Sequence, residues 1–287
     1  MGTIRSIKKI LKSKPTVEGA GVHLKRVFGN NEVPLFDPFL LLDDFHSAHP
    51  EDYIKGFPWH PHRGIETITY MLSGEVEHGD SMGNKGTIYS GDVQWMTAGD
   101  GIIHQEMPKG RTDGMMWGCQ LWANLPAAHK MMAPKYRDVK AGDIPEITLE
   151  KGAKVKIICG TVNGKQGPVR DIVIDPEYLD ITIQGESTFE HKVKKGHTVF
   201  AYVIEGPGYF DVARGRFIEH ENLVLFDDGD EVHVSTADTP VRFLLISGKP
   251  IGEPVAWYGP IVMNTEEELQ VAFEEYREGT FIRHKNA

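Results

Sequence analysis

The most informative stretch of the sequence is Phe57-Pro58-Trp59-His60-Pro61-His62-Arg63-Gly64, where one residue separates two histidines. It stands at the start of a run of short β-type segments. Side chains two positions apart in a strand point to the same side, so the imidazoles of His60 and His62 are expected side by side. The stretch therefore predicts a pair of nitrogen ligands presented by one face of a strand.

Short alternating segments surround this stretch and recur in the second half of the chain. Those between Arg63 and Met107 are broken by Gly, Asp, Asn and Ser turns, and Val199 to Ser247 has the same texture. Closely spaced short strands of this kind indicate an antiparallel sandwich or barrel. The region from about Tyr136 to Glu150 is richer in charge and has the character of a connector. We expect an all-β fold of two tandem barrels, a metal-binding one over 1–140 and a degenerate one over 141–287.

One helix is well signalled near the C-terminus. Thr265 followed by Glu268 matches a capping box, and Gly279 is expected to end the helix. Its apolar stripe predicts packing against the second barrel.

A second candidate ligand pair is His104 and Glu106, which have the same spacing as the histidines at 60 and 62. If the two segments are neighbours in a barrel, all four groups can meet inside it. Imidazoles with one carboxylate suit iron, zinc, copper or nickel, and four ligands on an octahedral metal leave two open positions. Glu66 is a rival ligand because it shares the parity of His62, and parity alone does not choose between Glu66 and Glu106.

Composition restricts the functional classes. The length of 287 residues exceeds the roughly 100 to 150 of a typical domain, and the net charge of −10 argues against direct binding to nucleic acid. Cys119 and Cys159 lack C-x-x-C spacing and are expected to be reduced thiols in the core. No stretch has the roughly 18 apolar residues of a membrane span. The sequence predicts a cytoplasmic protein, or a nuclear one in a eukaryote, that does not bind membranes.

Longer motifs extend the pattern over nearly the whole chain. HPHRG at 60–64 is followed by ETITY at 66–70 and by GDVQWMTAGDGIIHQEMP at 91–108. FDPFLLLDDF at 36–45, QLWANL at 120–125 and GPIVMN at 259–264 continue it. Together these motifs resemble the pirin family of the cupin superfamily.

The resemblance implies a bicupin, two stacked antiparallel jelly-roll barrels, with a short C-terminal helix. It also implies one divalent metal per chain in the N-terminal barrel. The ligands that correspond to the family's are His60, His62, His104 and Glu106, which favours Glu106 over Glu66. The second half contains no His-x-His, so the C-terminal barrel is predicted to be free of metal. Iron(II) is the expected metal, with nickel, cobalt, manganese, zinc and copper as the other candidates.

Further pocket residues are expected near these ligands. Phe57, Trp95 and Met107 supply bulky apolar groups, and Arg63 and Gln105 are candidate hydrogen-bond donors behind the ligands.

The resemblance also carries a functional expectation. Some pirin-like proteins are quercetin 2,3-dioxygenases, which open flavonols such as quercetin with dioxygen and release carbon monoxide. Glu106 is then the expected catalytic base, and the partners are O2 and a flavonol or other aromatic molecule. The alternative is a metal-dependent, redox-sensing transcriptional co-regulator that acts through contacts with a transcription factor.

Overall fold

The computed structural model of the protein describes residues 2–284. The chain divides into two compact units. The first unit comprises Lys14–Ala141 together with the chain from Ile251 onward, and the second comprises the chain up to Ser13 together with Gly142–Pro250. The predicted division into 1–140 and 141–287 therefore differs from the structure at both ends, because each terminal segment joins the unit formed by the other half.

The described chain is built mainly of strands. The first thirteen are β1 Ile7–Lys12, β2 Lys14–Glu18, β3 Val22–Phe28, β4 Phe39–Ser47, β5 Phe57–His62, β6 Ile65–Ser73, β7 Glu75–Asp80, β8 Lys85–Tyr89, β9 Val93–Thr97, β10 Ile102–Lys109, β11 Met116–Asn124, β12 Lys135–Val139 and β13 Glu146–Thr148. The others are β14 Lys154–Cys159, β15 Thr161–Val162, β16 Lys165–Gln166, β17 Glu177–Ile183, β18 Thr188–Lys192, β19 Thr198–Glu205, β20 Gly208–Tyr209, β21 Phe217–Ile218, β22 Asn222–Phe226, β23 Glu231–Ser235, β24 Val241–Gly248, β25 Ala256–Tyr258 and β26 Ile261–Met263. The α-helices are α1 Ala127–Lys130 and α2 Glu266–Glu278, and short 3-10 turns occupy Asn30–Glu32, Pro50–Asp52 and Ala141–Asp143.

The first unit pairs a seven-stranded sheet with a four-stranded one. The larger sheet has the order β12-β9-β6-β11-β4-β3-β2, and the smaller has the order β5-β10-β7-β8. All of these pairings are antiparallel, and β10 lies between β5 and β7. Burial alternates along β10, as expected for a strand with one face turned to a core. The predicted all-β cupin architecture is confirmed.

The second unit repeats this arrangement. Its larger sheet has the order β1-β22-β19-β24-β17-β14-β13, and its smaller sheet has the order β18-β23-β20-β21. The large apolar cluster of this unit includes Phe189, Phe210 and Phe243. Strand β1 belongs to this sheet because it pairs with β22, and the predicted domain boundary missed that long-range pairing.

The predicted helix is present, but it packs in the first unit. Thr265 and Glu268 form the reciprocal capping box, and Gly279 ends α2 in the left-handed region. Leu269 and Ala272 of α2 are buried in one cluster with residues of β25 and β26. The prediction that the stripe packs on the second barrel is wrong, because the whole segment after Pro250 belongs to the first unit.

Gly64 allows this C-terminal segment to approach the histidine strand. Its φ is +79°, and a Cβ atom at this position would lie 2.0 Å from the carbonyl oxygen of Val262. Only glycine satisfies both conditions. The Nζ of Lys130, which is fully buried, donates to the same Val262 oxygen and to Gly64 O.

The two cysteines lie in the interior of the protein. Cys119 and Cys159 are buried and are not joined by a disulfide, as predicted. Within residues 2–284, no helix combines the length and apolar character needed to cross a membrane.

Candidate metal centre

Three histidines converge where β5 and β10 pair. His104 lies directly opposite His60 in the register of the two strands, and His62 follows His60 on the same face. The Nε2 atom of His60 is 3.1 Å from Nε2 of His62 and 2.9 Å from Nε2 of His104. The three side chains form a group that can hold a metal ion.

Burial keeps two of the three imidazoles neutral. His62 and His104 are 2% and 0% exposed. Burial lowers the pKa of His62 to about 3, with a further contribution from the charge of His60. Burial also lowers the pKa of His104 well below its usual value, and the neighbouring histidines add to that effect. Neutral imidazole is the form that binds metals, so these rings are ready to act as ligands.

The hydrogen bonds on the opposite side of the rings show that the site suits a cation. Nδ1 of His60 is 2.9 Å from the carbonyl oxygen of Pro58, and Nδ1 of His62 is 2.9 Å from that of Pro260. A carbonyl only accepts, so each Nδ1 carries the proton and each Nε2 is a bare lone pair. Two lone pairs facing each other at 3.1 Å repel unless a positive charge lies between them. The donor set therefore fits a metal ion.

The nitrogen separations also bear on coordination geometry. Metal–nitrogen bonds of about 2.1 Å that meet at right angles place the nitrogens about 3.0 Å apart, whereas tetrahedral directions place them about 3.4 Å apart. The observed values of 3.1 Å and 2.9 Å match the right angle. Both separations lie within the range that two nitrogen ligands of one metal ion span.

Acid should destabilise the metal-free protein through His62. An unfolded histidine titrates near pH 6.5, whereas folded His62 titrates at about 3, so between these values the unfolded state binds more protons. Stability is therefore complete above about pH 6.5 and falls by about 1.4 kcal/mol per pH unit per such histidine as the pH decreases. Urea denaturation of metal-free protein at several pH values measures this slope, and His62→Gln should reduce it. An unchanged slope in the variant would contradict the assignment.

Glu106 lies beside the histidines but its carboxylate is held by other groups. It is buried, and Oε1 accepts a hydrogen bond from Oγ1 of Thr69 at 3.1 Å. Oε2 accepts from Nε2 of Gln120 at 3.1 Å, and Oε1 of Gln120 accepts from the indole of Trp122. The ligand atoms of His60, His62 and His104 all lie within 4.8 Å of one another, and Glu106 does not belong to this group.

Glu66 lies in a different sheet from the three histidines. It belongs to β6 in the larger sheet and has the opposite parity to Thr69, the β6 residue that reaches Glu106. Its Oε1 accepts from Oγ1 of Thr97 at 2.6 Å, and burial raises its pKa. The sheet thus places the Glu66 side chain on the face of β6 away from Glu106.

An open pocket of about 540 Å³ adjoins the centre. His60, His62 and Glu106 line it, together with Trp122 and Trp257. The ring of Trp122 meets the ring of His62 edge-on at 5.0 Å and lies 5.8 Å from the ring of Trp257. The histidines are therefore reached through an opening bordered by two indoles, which can contact a flat apolar ligand.

One side of the pocket carries a charged group. Arg26 binds both oxygens of Asp43 at 2.9 Å and 2.8 Å, and its Nη1 lies 2.9 Å from Glu18. Asp43 is buried on β4, so its negative charge depends on this two-point pairing.

Of the five additional pocket residues predicted from the sequence, the structure places one in the pocket lining. Phe57 lines the pocket, and its ring lies 6.5 Å from that of His60. Arg63 does not approach the histidines, because its side chain turns to Asp100, Phe281 and Glu275. The other three are absent from the pocket lining: Trp95, Gln105 and Met107. On β10, Gln105 and Met107 alternate with the inward-facing His104 and Glu106 and so point away from them.

Sequence reasoning missed several groups that touch the centre. Thr69 and Gln120 bind Glu106, Trp122 covers His62, and Pro260 accepts the His62 proton. A partial signal was available, since Gln120 and Trp122 show the same period of two on an apolar strand. No local pattern indicates Pro260, which is 198 residues from His62.

The second unit has apolar residues where the first has ligands. Strands β18 and β23 pair as β5 and β10 do, with Phe189 opposite Val234 and His191 opposite Val232. Phe189, Val232 and Val234 belong to the apolar cluster, and His191 bonds to Glu177 at 2.8 Å. Among residues 2–284 the only group of three or more candidate ligands is the one in the first unit. The absence of a metal from the C-terminal barrel stays a prediction. The apolar residues at the positions equivalent to those of the ligands support it.

Comparison with known proteins agrees with this architecture. Residues 21–123 match the Pirin family, and residues 178–282 match the Pirin C-terminal cupin domain. A pirin-like protein of Caulobacter vibrioides is 44% identical, over 97% of this chain and 99% of its own length. Pirin-like protein 2 of Arabidopsis thaliana is 42% identical, over 95% of this chain and 84% of its own.

A solved structure is similar over the same extent. The crystal structure of quercetin 2,3-dioxygenase from Acinetobacter baumannii superposes with a TM-score of 0.88 at 31% identity, covering 97% of this chain and 99% of that one. With both family domains matched and a relative that is 44% identical over 99% of its own length, this chain belongs to the pirin family.

Proposed function

We propose that the protein is a metal-dependent dioxygenase that opens flavonols such as quercetin with O2 and releases carbon monoxide. The observation that carries the proposal is the convergence of three imidazoles beside a pocket that is lined by two of them, by the carboxylate of Glu106 and by two indoles. The similarity to the Acinetobacter quercetin 2,3-dioxygenase supports the same reaction class.

The proposed ligands are His60, His62 and His104, with Glu106 as the fourth. Nitrogen and carboxylate donors suit iron(II), which is the metal we expect at one per chain. Nickel, cobalt, manganese, zinc and copper are the alternatives to test. When bound, the metal supplies Lewis acidity toward the flavonol oxygens and a redox partner for dioxygen.

The remaining chemistry falls to the side chains around the pocket. Trp122 and Trp257 would contact the faces and edges of a flat polyphenol, and burial of its rings would drive binding. Glu106 would accept the proton of the flavonol 3-hydroxyl. Thr69 and Gln120 each bond to one oxygen of that carboxylate, so they fix its orientation in the pocket.

The experiment measures carbon monoxide released from quercetin under air. Protein reconstituted to one iron per chain by elemental analysis should release carbon monoxide in proportion to the quercetin consumed. Chelation or His60→Ala should abolish the release, because the His60 Nε2 atom lies between those of its two neighbours.

Carbon monoxide is the decisive readout, since quercetin also oxidises without an enzyme and loses its absorbance. The matched control is a protein-free solution with the same concentration of the same metal. If iron, nickel, cobalt and manganese forms all release no more carbon monoxide than their controls, the dioxygenase proposal fails.

Three further expectations stay predictions: a cytoplasmic location, the absence of direct nucleic acid binding, and the alternative role as a transcriptional co-regulator that binds a transcription factor. A pull-down that compares metal-loaded with metal-free protein tests the last of them.

A further inference from the structure

A second histidine–carboxylate pair lies behind His104. Strand β7 pairs with β10 so that Asp80 is opposite His104 and His78 is opposite Glu106. The side chains of His78 and Asp80 are both fully buried, and the His78 ring centroid is 5.3 Å from that of His104. Neither residue belongs to the three-histidine group.

His104 differs from the other two histidines in its outer nitrogen. His60 and His62 each donate Nδ1–H to a backbone carbonyl, which fixes the tautomer that presents Nε2. Nδ1 of His104 is buried and has no hydrogen-bond partner within the described chain. A metal on Nε2 requires the proton of a neutral imidazole to be on Nδ1, so His104 has a buried donor that needs an acceptor.

His78 has the complementary requirement. Its Nε2 lies 3.3 Å from Oδ2 of Asp80, and a carboxylate only accepts, so Nε2 carries the proton. That leaves Nδ1 of His78 as a lone pair, and it too is buried without a partner among residues 2–284. One buried donor and one buried acceptor thus occupy adjacent rings.

We propose that Asp80 and His78 are positioning residues for His104, with His104 Nδ1–H donating to Nδ1 of His78 when Nε2 binds a metal. Ring nitrogens lie a little over 1 Å from the ring centre, so a centroid separation of 5.3 Å leaves about 3 Å between two that face each other, a hydrogen-bond distance. The two Nδ1 atoms are not hydrogen-bonded as the rings stand, and the contacts of His78 restrain its ring, so the proposed bond requires the His104 ring to turn when the metal binds. The inference rests on the metal-ligand role proposed for His104 and not on flavonol turnover.

The surroundings hold the pair in place. Oδ1 of Asp80 accepts from the backbone N–H groups of Met82 and Asn84, so the carboxylate is tied to the turn after β7. The His78 ring stacks on Tyr136 at 5.0 Å, and the Tyr136 hydroxyl accepts from Gln94. These contacts restrain both members of the pair independently of any metal.

The sharpest test is Asp80→Asn, which changes the tautomer with little change in shape. The Asn oxygen can keep the two backbone bonds at the turn, while its NH2 group replaces Oδ2 and donates to Nε2 of His78. The side-chain amide of Asn84, whose Nδ2 donates to Oδ2 at 2.8 Å, must then turn its oxygen toward the new NH2 group. The proton of His78 must then move to Nδ1, where two N–H groups face each other. We expect zinc affinity, measured by competition with a chelator, to fall by about 10- to 100-fold.

Glu177→Gln is the matched control. It makes the same change in the partly buried His191–Glu177 pair of the second unit, which contains none of the three histidines. Zinc affinity should stay within about twofold of the wild type. Equal losses in the two variants would overturn the proposal, because they would show a general effect on stability.

A second measurement uses the wild-type protein and does not depend on how the variant folds. In nitrogen-15 NMR of the zinc-loaded protein, His78 should carry its proton on Nε2 and His104 on Nδ1. A His78 proton on Nδ1, or unchanged zinc affinity in a folded Asp80→Asn protein, would overturn this inference and leave the proposed function standing. Failure of the wild type to bind zinc would overturn this inference but not the proposed function, which is tested with iron, nickel, cobalt and manganese, whereas absence of carbon monoxide alone would overturn only the proposed function.

Discussion

Glu106→Gln should lower carbon monoxide release from quercetin by about 10²- to 10⁴-fold, the range typical for loss of a general base. The amide cannot take a proton from the flavonol and is a weaker metal donor than the carboxylate. It can still accept from Thr69, but its NH2 group would face the NH2 group of Gln120. Metal content after gel filtration, measured beside the rate, separates loss of the metal from loss of the base.

Glu66→Gln is the control for that substitution. Glu66 is also a buried glutamate, but it bonds to Thr97 on the face of β6 away from Glu106. We expect turnover and metal content within a few-fold of the wild type, with a melting temperature recorded for each variant. If Glu66→Gln loses its metal while Glu106→Gln retains it, the ligand role passes to Glu66.

Arg63→Leu should destabilise the protein by about 3 to 5 kcal/mol, because it removes one member of a buried charged network. Arg63 is 1% exposed; it donates to the carbonyl oxygens of Asp100 and Phe281 at 2.6 Å and 3.0 Å. It also pairs with Glu275 of α2 at 2.7 Å and lies 4.2 Å above the ring of Phe281. Leucine leaves the two carbonyls and the carboxylate without this partner.

Urea denaturation measures the expected loss, and limited proteolysis should show earlier cleavage near α2. Glu275→Gln is the milder control, since the guanidinium keeps both carbonyl bonds and Glu275 is partly exposed. A loss below about 1 kcal/mol for Arg63→Leu would mean that the helix is held by its apolar contacts with β25 and β26.

The histidines could be predicted from the sequence because they depend on a local rule. A period of two places His60 and His62 on one face, and the same rule applies to His104. The rule does not extend to Arg63, where the chain leaves β5 and Gly64 has a positive φ, so its side chain turns toward α2. The spacing of residues along one strand does not predict where a side chain points after such a turn.

Other features depend on which distant strands become neighbours. Gln120 reaches Glu106 because β11, β6 and β10 come together in the barrel, and β1 joins the second unit because it pairs with β22. Strand pairings of this kind are set by the whole fold, and no short pattern in the sequence encodes them. The four-group ligand set came from family resemblance, while the geometry alone assembles the three histidines.

The return of the C-terminal segment to the first unit has a consequence for how the centre matures. A polypeptide is synthesised from its N-terminus, so His60 and His62 leave the ribosome early, whereas Pro260 follows His62 by 198 residues. Before Pro260 arrives, nothing fixes the proton of His62 on Nδ1, and either ring nitrogen is available to a passing cation. Coordination of His62 through Nε2 alone is therefore expected only after the segment that contains Pro260 has been synthesised and has folded onto the first unit.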